Sequence, residues 1–147
     1  MKSIKFSESI LINKEQAVVF DFTQDYDNRL KWDKFLKNAV LINGALTAEK
    51  GTKSFCVAQN GVGIESMYVT YSRPRVTAVK MTKGPFMFSS FLGSWTFKEI
   101  SEGVTEVIFL YSFSLRFPFS IFTLFIKNNL QKNVKQHLIN LKISLEQ

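Results

Sequence analysis

The spacing of apolar positions changes once along the chain, near residue 117. Before that point apolar and polar residues alternate in short runs bounded by Gly, Pro, Asn and Ser. After it, Phe122, Ile126, Leu130, Val134, Leu138, Leu141 and Leu145 recur at intervals of three and four. Lys127, Gln131, Lys132, Lys135 and Lys142 fall largely on other sides. The first pattern has a period of about two, that of a strand, and the second a period of about 3.6, that of a helix. The last stretch, residues 117–147, therefore reads as one long amphipathic helix, with Pro118 suited to its first turn.

The strands follow from the same reading. Residues 3–12 form the first, with Ile4, Phe6 and Ile10 set against Lys5, Ser7 and Ser9. Asn13, with Gln16 three positions on, makes a capping box for a short helix over residues 14–23. A second short helix starts at residue 29, capped by Asp27 or Asn28, and ends at 36 or 37. Six more strands are expected over residues 39–46, 52–58, 63–72, 75–82, 89–100 and 104–116. Their connections are short and carry turn chemistry: Asn60-Gly61, Arg73-Pro74, Lys83-Gly84-Pro85 and Ser101-Glu102-Gly103. Consecutive strands with short links form an antiparallel meander. The expected fold class is α+β: a seven-stranded curved antiparallel sheet wrapped around a long C-terminal helix, with two short helices after strand 1, as a single domain over residues 1–147.

Alternation gives each strand two faces. On the last strand Val107, Phe109, Tyr111, Phe113 and Leu115 form the bulkier set and are assigned inward. The same size test assigns inward Trp95 and Phe97, Val79 and Met81, Met67, Val69 and Tyr71, and Phe55 and Val57. A helix is only ~10–12 Å across with its side chains, too narrow to cover a seven-stranded sheet. A pocket is therefore expected between sheet and helix, with Phe122, Ile126 and Leu130 facing it and Trp32 and Phe86 at its mouth. Glu65, Tyr71 and Tyr111 share the inward parity; Glu65 would have its pKa raised in an apolar pocket, as an acid–base group requires.

Composition sharpens this picture. The chain has 15 Phe, which suits a wide interior or a lined cavity. Its net charge of +7 is scattered and mostly lysine, without the clustered basic face of a nucleic-acid binder, so no nucleic-acid partner is expected; transient contact with an anionic membrane surface is compatible with it. One cysteine, Cys56, excludes an internal disulfide, and the N-terminus lacks the apolar core of a secretory signal, so a soluble, cytoplasmic protein is expected. No catalytic residue is assigned: the lone histidine, His137, has no nucleophile at a readable spacing and reads as structural or solvated. No metal site is expected, because Asp25, Asp27 and Asp33 lack a calcium-loop spacing and read as caps and solvated faces; no cofactor is implied.

Several segments carry a family likeness: Ala17-Val18-Val19-Phe20-Asp21-Phe22 followed by Asp25 and by Lys31-Trp32-Asp33-Lys34-Phe35, then Tyr71-Ser72-Arg73-Pro74-Arg75, Ser94-Trp95-Thr96-Phe97, Gly103-Val104-Thr105-Glu106-Val107 and Leu138-Ile139-Asn140-Leu141-Lys142. In this order they resemble the START-like (SRPBCC) superfamily, with its helix-grip fold, polyketide cyclases and dehydratases, lipid-transfer domains and plant ligand carriers. The likeness implies a hydrophobic or amphipathic small-molecule ligand, lipid or polyketide-like, held between sheet and helix. Its alternative is a cyclase- or dehydratase-like enzyme using Glu65 or a pocket tyrosine, and a third reading is an interaction module that uses surface Lys and exposed Phe.

Overall fold

The structure is a computed structural model and describes residues 3–147. Strand β1 (Ile4–Ile12) leads into helices α1 (Gln16–Gln24) and α2 (Arg29–Trp32). Six strands follow: β2 (Leu36–Leu41), β3 (Lys53–Ala58), β4 (Gly63–Ser72), β5 (Val76–Lys83), β6 (Phe88–Ser101) and β7 (Val104–Leu115). A 3₁₀ turn (Phe119–Phe122) precedes the terminal helix α3 (Thr123–Glu146). The seven strands form one sheet in the order β1-β7-β6-β5-β4-β3-β2, every pair antiparallel. This is the expected helix-grip architecture.

The core sits where α3 meets the β1–β7–β6 side of the sheet. Val107, Phe109 and Phe113 of β7 and Trp95 and Phe97 of β6 pack with Val134, Leu138, Leu141 and Leu145 of α3. Val19, Phe20 and Trp32 from the short helices close one end of this cluster. Rings meet edge-on, as the aromatic quadrupole favours: Phe20 with Phe97 at 5.3 Å and Trp95 with Phe109 at 4.5 Å. Lys142 Nζ donates to the Leu11 carbonyl (2.6 Å), and the Asn13 N–H donates to Glu146 (2.9 Å), fastening the end of α3 to the end of β1.

The boundaries that differ most from the sequence reading are those of the helices and of β2, which covers Leu36–Leu41 rather than residues 39–46. Helix α1 begins after Glu15 without a side-chain cap: Asn13 lies two residues ahead of the cap position, and Gln16, its expected capping-box partner, donates from Nε2 to the Phe97 carbonyl (2.9 Å). Helix α2 is a single turn of four residues: the backbone turns extended at Asp33, and β2 starts at Leu36 to pair with Ala58. The terminal helix starts at Thr123, after the 3₁₀ turn. Tighter 3₁₀ winding, ~3 residues per turn, rotates Phe122 off the apolar stripe that the α-helical spacing had assigned to it.

Candidate ligand cavity

Helix α3 packs mainly along β1. Gln131 Nε2 donates to Glu8 of β1 (2.8 Å), which holds the helix at that side of the sheet. The concave faces of β3 to β6 are left without a helix over them, and a cavity of about 580 Å³ fills the space. Its floor is two cross-strand rows. One runs Tyr68, Val79, Gly93, Tyr111, and the other Thr77, Trp95, Phe109. Glycine keeps the first row low: a Cβ at Gly93 would stand 3.1 Å from the Tyr111 ring. From α3 the wall is completed by Ile126, Asn129, Leu130, Asn133, Val134 and His137, positions three or four apart.

The lining of the cavity is apolar in one part and polar in another. Toward the β3–β4 tip the lining is largely apolar, with Val62, Ile64, Pro85, Met87, Phe88 and Phe91. Asn60, Val62 and Asn129 are exposed as well as lining, so they mark the opening. The wall beside α2 is polar. Arg29 Nε donates to Asp33 Oδ2 (2.8 Å), its guanidinium lies 5.2 Å over the Trp32 ring, and its side chain faces the cavity. Burial opposes the guanidinium charge, and Asp33, with smaller help from Cys56 and Tyr26, more than offsets this, raising the Arg29 pKa above its ordinary value. Asp33, buried, also accepts the Phe35 N–H (3.1 Å). Among the described residues no group accepts a hydrogen bond from the terminal Arg29 nitrogens.

His137 closes this wall from α3. It is buried among Trp32 (4.7 Å between ring centres), Trp95 (5.7 Å) and Phe109 (5.9 Å), with Nδ1 3.6 Å from Asp33 Oδ1. Burial lowers its pKa to about 4, outweighing the pull of Asp33, so the imidazole is neutral at neutral pH. Beside it the Tyr68 hydroxyl donates to Gln24 Oε1 (2.7 Å) and lies 3.0 Å from the Tyr26 hydroxyl. Burial pushes the Tyr111 hydroxyl up to about 12 and raises the Cys56 thiol, so both stay protonated.

Of the residues expected at a site, the structure brings together Trp95, Phe109, Tyr111, Ile126 and Leu130 on the cavity wall. Trp32, Phe97 and Phe113 are fully buried behind it, and Tyr71 and Met81 pack against the core rather than into the cavity. Trp32 is not at the mouth, and Phe86 and Phe122 point into solvent. On β3 and β4 the expected facing is reversed. Ser54, Cys56, Ala58, Ile64, Ser66 and Tyr68 face the cavity, while Phe55, Val57, Glu65 and Met67 lie on the outer face. A register shift between Tyr68 and Thr70 takes up Val69 and returns Tyr71 to the inner side. The size test failed because inner positions over an unfilled space need not be bulky. Glu65 pairs outside with Thr82 Oγ1 (2.7 Å) and Lys53 (3.8 Å), and the Thr82 hydroxyl foremost holds its pKa below the ordinary value, opposite to the shift a pocket acid would show.

The polar wall was not assigned from sequence. Arg29 and Asp33, four apart across the end of α2, were its one legible signal. Asp33 is the C-cap residue of α2 but is buried rather than solvated, and Asp25 braces its turn, accepting the Asp27 N–H (3.0 Å).

A cavity between a curved sheet and a terminal helix, apolar over much of its lining and hydrogen-bonding beside a short helix, defines a class of small-molecule binding folds. The family model described as polyketide cyclase / dehydrase and lipid transport matches residues 3–146, and the chain belongs to that family. A START superfamily protein from Mycobacterium smegmatis has the same fold, with a TM-score of 0.80 at 8% identity over 97% of each chain. Ginseng major latex-like protein 151 from Panax ginseng superposes with a TM-score of 0.76 at 11% identity, again over 97% of each chain. The di-domain ARO/CYC BexL from the BE-7585A biosynthetic pathway gives 0.75 at 18% identity, covering 99% of this chain and 50% of its own. A search of curated proteins finds no match. No helix among the described residues is long and apolar enough to cross a membrane.

Proposed function

We propose that the chain binds and carries an amphipathic small molecule, lipid-like or polyketide-like, with its apolar body along Phe91, Phe109, Ile126 and Leu130 and an oxygen-bearing head against Arg29. The observation that carries this reading is the divided lining of the cavity. Trp95, Phe109, Phe91, Ile126 and Leu130 offer apolar surface, and the Arg29 guanidinium has donors to spare on the same cavity's wall. Burial of ligand surface supplies ~25 cal/mol per Å² before association costs. The head is fixed by hydrogen bonds that are strong because the site is dry.

A cyclase- or dehydratase-type enzyme is the second reading, supported by the family description and by the same polar wall. Tyr111 stays protonated to about 12 and His137 neutral down to about 4, so neither of these two is poised to exchange a proton near neutrality. That balance favours binding over turnover.

The test is organic extraction of the purified protein followed by mass spectrometry, with displacement of an environment-sensitive fluorescent fatty-acid probe as the titration. Recovery of a stoichiometric amphipathic molecule, and probe binding weakened by Trp95→Ala, are the expected results. A protein that co-purifies with nothing and leaves the probe dark refutes the reading. Conversion of polyketide-like probes that survives Tyr111→Phe but is lost with Arg29→Gln would favour the enzyme.

A further inference from the structure

Antiparallel topology brings three connections to one end of the molecule: the β3–β4 tip, the β5–β6 loop at residues 84–87, and the β7–α3 connection at residues 116–122. This is the end at which the cavity opens. Around it Phe86, Phe117, Ile121, Phe122, Leu124 and Phe125 are between 53% and 81% exposed. Monomeric proteins rarely leave such a cluster uncovered without a use for it. The side chains belong to one surface. Arg116 Nε donates to the Phe86 carbonyl (2.9 Å), its guanidinium lies 4.9 Å over the Phe86 ring, and its N–H donates to the Met87 carbonyl (2.8 Å). Phe125 stands one helical turn before Asn129 of the mouth, so the patch runs up to the opening.

Charge around the patch is mostly of one sign. Residues 66–98 and 107–145 contain no acidic residue, and Arg116 and Lys127 flank the exposed rings together with Lys83, which faces Glu65 across the β4–β5 pair. We propose that this end docks on an anionic lipid bilayer, with the apolar side chains seated at the headgroup–acyl boundary, the cations at the headgroups and the cavity mouth toward the membrane. Apolar side chains with basic neighbours are the composition that lies in a bilayer interface, and each cation gains from the negative surface potential. A second copy of the chain fits less well, because a two-fold contact would set the same predominantly cationic surface against itself. The inference rests on exposure and charge and not on which ligand the cavity holds.

Vesicle sedimentation of the full chain tests it. The protein is expected to sediment with phosphatidylcholine vesicles containing about 30% phosphatidylglycerol and to bind phosphatidylcholine alone at least about tenfold more weakly. Salt at about 0.5 M should release it. The double substitution Ile121→Ser/Phe125→Ser, at side chains 72% and 71% exposed, should weaken binding by about tenfold or more while thermal unfolding stays close to that of the parent. Leu46→Ser, at a position 95% exposed on the β2–β3 loop at the opposite end of β3, should leave vesicle binding unchanged. Absence of sedimentation with either vesicle, or binding that survives the double substitution, overturns the proposal. Self-association abolished by the double substitution, without vesicle binding, also overturns it and assigns the face to a second copy.

Discussion

His137 is the only histidine in the chain, which makes the dryness of the polar wall measurable at a single proton. Three effects act at its ring, the smallest being the Arg29 charge, which opposes protonation. Burial among Trp32, Trp95 and Phe109 disfavours the charged form, and Asp33 at 3.6 Å favours it. Burial wins, taking the pKa from an ordinary 6.5 to about 4 in the folded protein. The unfolded chain then takes up the proton first as pH falls. Stability from this group is full above the unfolded pKa of 6.5 and is lost as pH falls toward the folded value of about 4. Integrating the two titrations, the loss between about pH 7 and about pH 5 is ~2 kcal/mol, a large fraction of a typical folding stability. Urea unfolding followed by tryptophan fluorescence, at a series of pH values, reads this directly. His137→Phe keeps the ring but removes the titration, so its pH dependence over that interval should be flatter by the same ~2 kcal/mol; carboxylates common to both proteins cancel in the difference. Nuclear magnetic resonance of the lone imidazole gives the folded midpoint independently. A midpoint at or above 6.5, or parallel pH profiles for the two proteins, would refute the reasoning, because Asp33 would then outweigh burial and the wall would be wet.

Other outcomes follow from the same geometry. Arg29→Met strands Asp33 as a buried, unpaired charge and should cost ~3–5 kcal/mol in denaturant unfolding. Adding Asp33→Leu should recover much of that stability, while probe binding stays weakened in both variants, which separates the fold from the ligand head. Glu65→Gln should leave ligand affinity unchanged in a fluorescence titration, since Glu65 lies on the outer face with Thr82 and Lys53; a loss would place it at the site after all. Gly93→Ala pushes a methyl toward the Tyr111 ring, so ~1–3 kcal/mol of destabilisation and weaker probe binding are expected from unfolding and titration.

The architecture was legible because its signals are local. Strand β4 occupies residues 63–72 in both readings, and the inner face of β7, from Val107 to Phe113, follows from alternation next to a core that demands bulk. The stripe Val134, Leu138, Leu141 and Leu145 is buried as its spacing requires. The core parts of β7 and α3 pack against one another, so there size and period report orientation faithfully, whereas for β4 they report only its bounds.

The cavity wall was much less legible. On β3 and β4 the bulky residues Phe55 and Met67 face out, and Ser54, Cys56 and Ser66 face in. Arg29 and His137, the most consequential groups on the wall, sit on elements whose sequence reads as a short amphipathic turn and a helix margin. Period and propensity along the chain thus determined the element order, the antiparallel sheet and the stripe of α3. The tertiary structure alone decided where α3 lies across that sheet, which strands it leaves bare, and which side chains therefore look into empty space. Local pattern encodes contacts that must be made, whereas a cavity is a set of contacts left unmade between segments distant in sequence, and no local period records it.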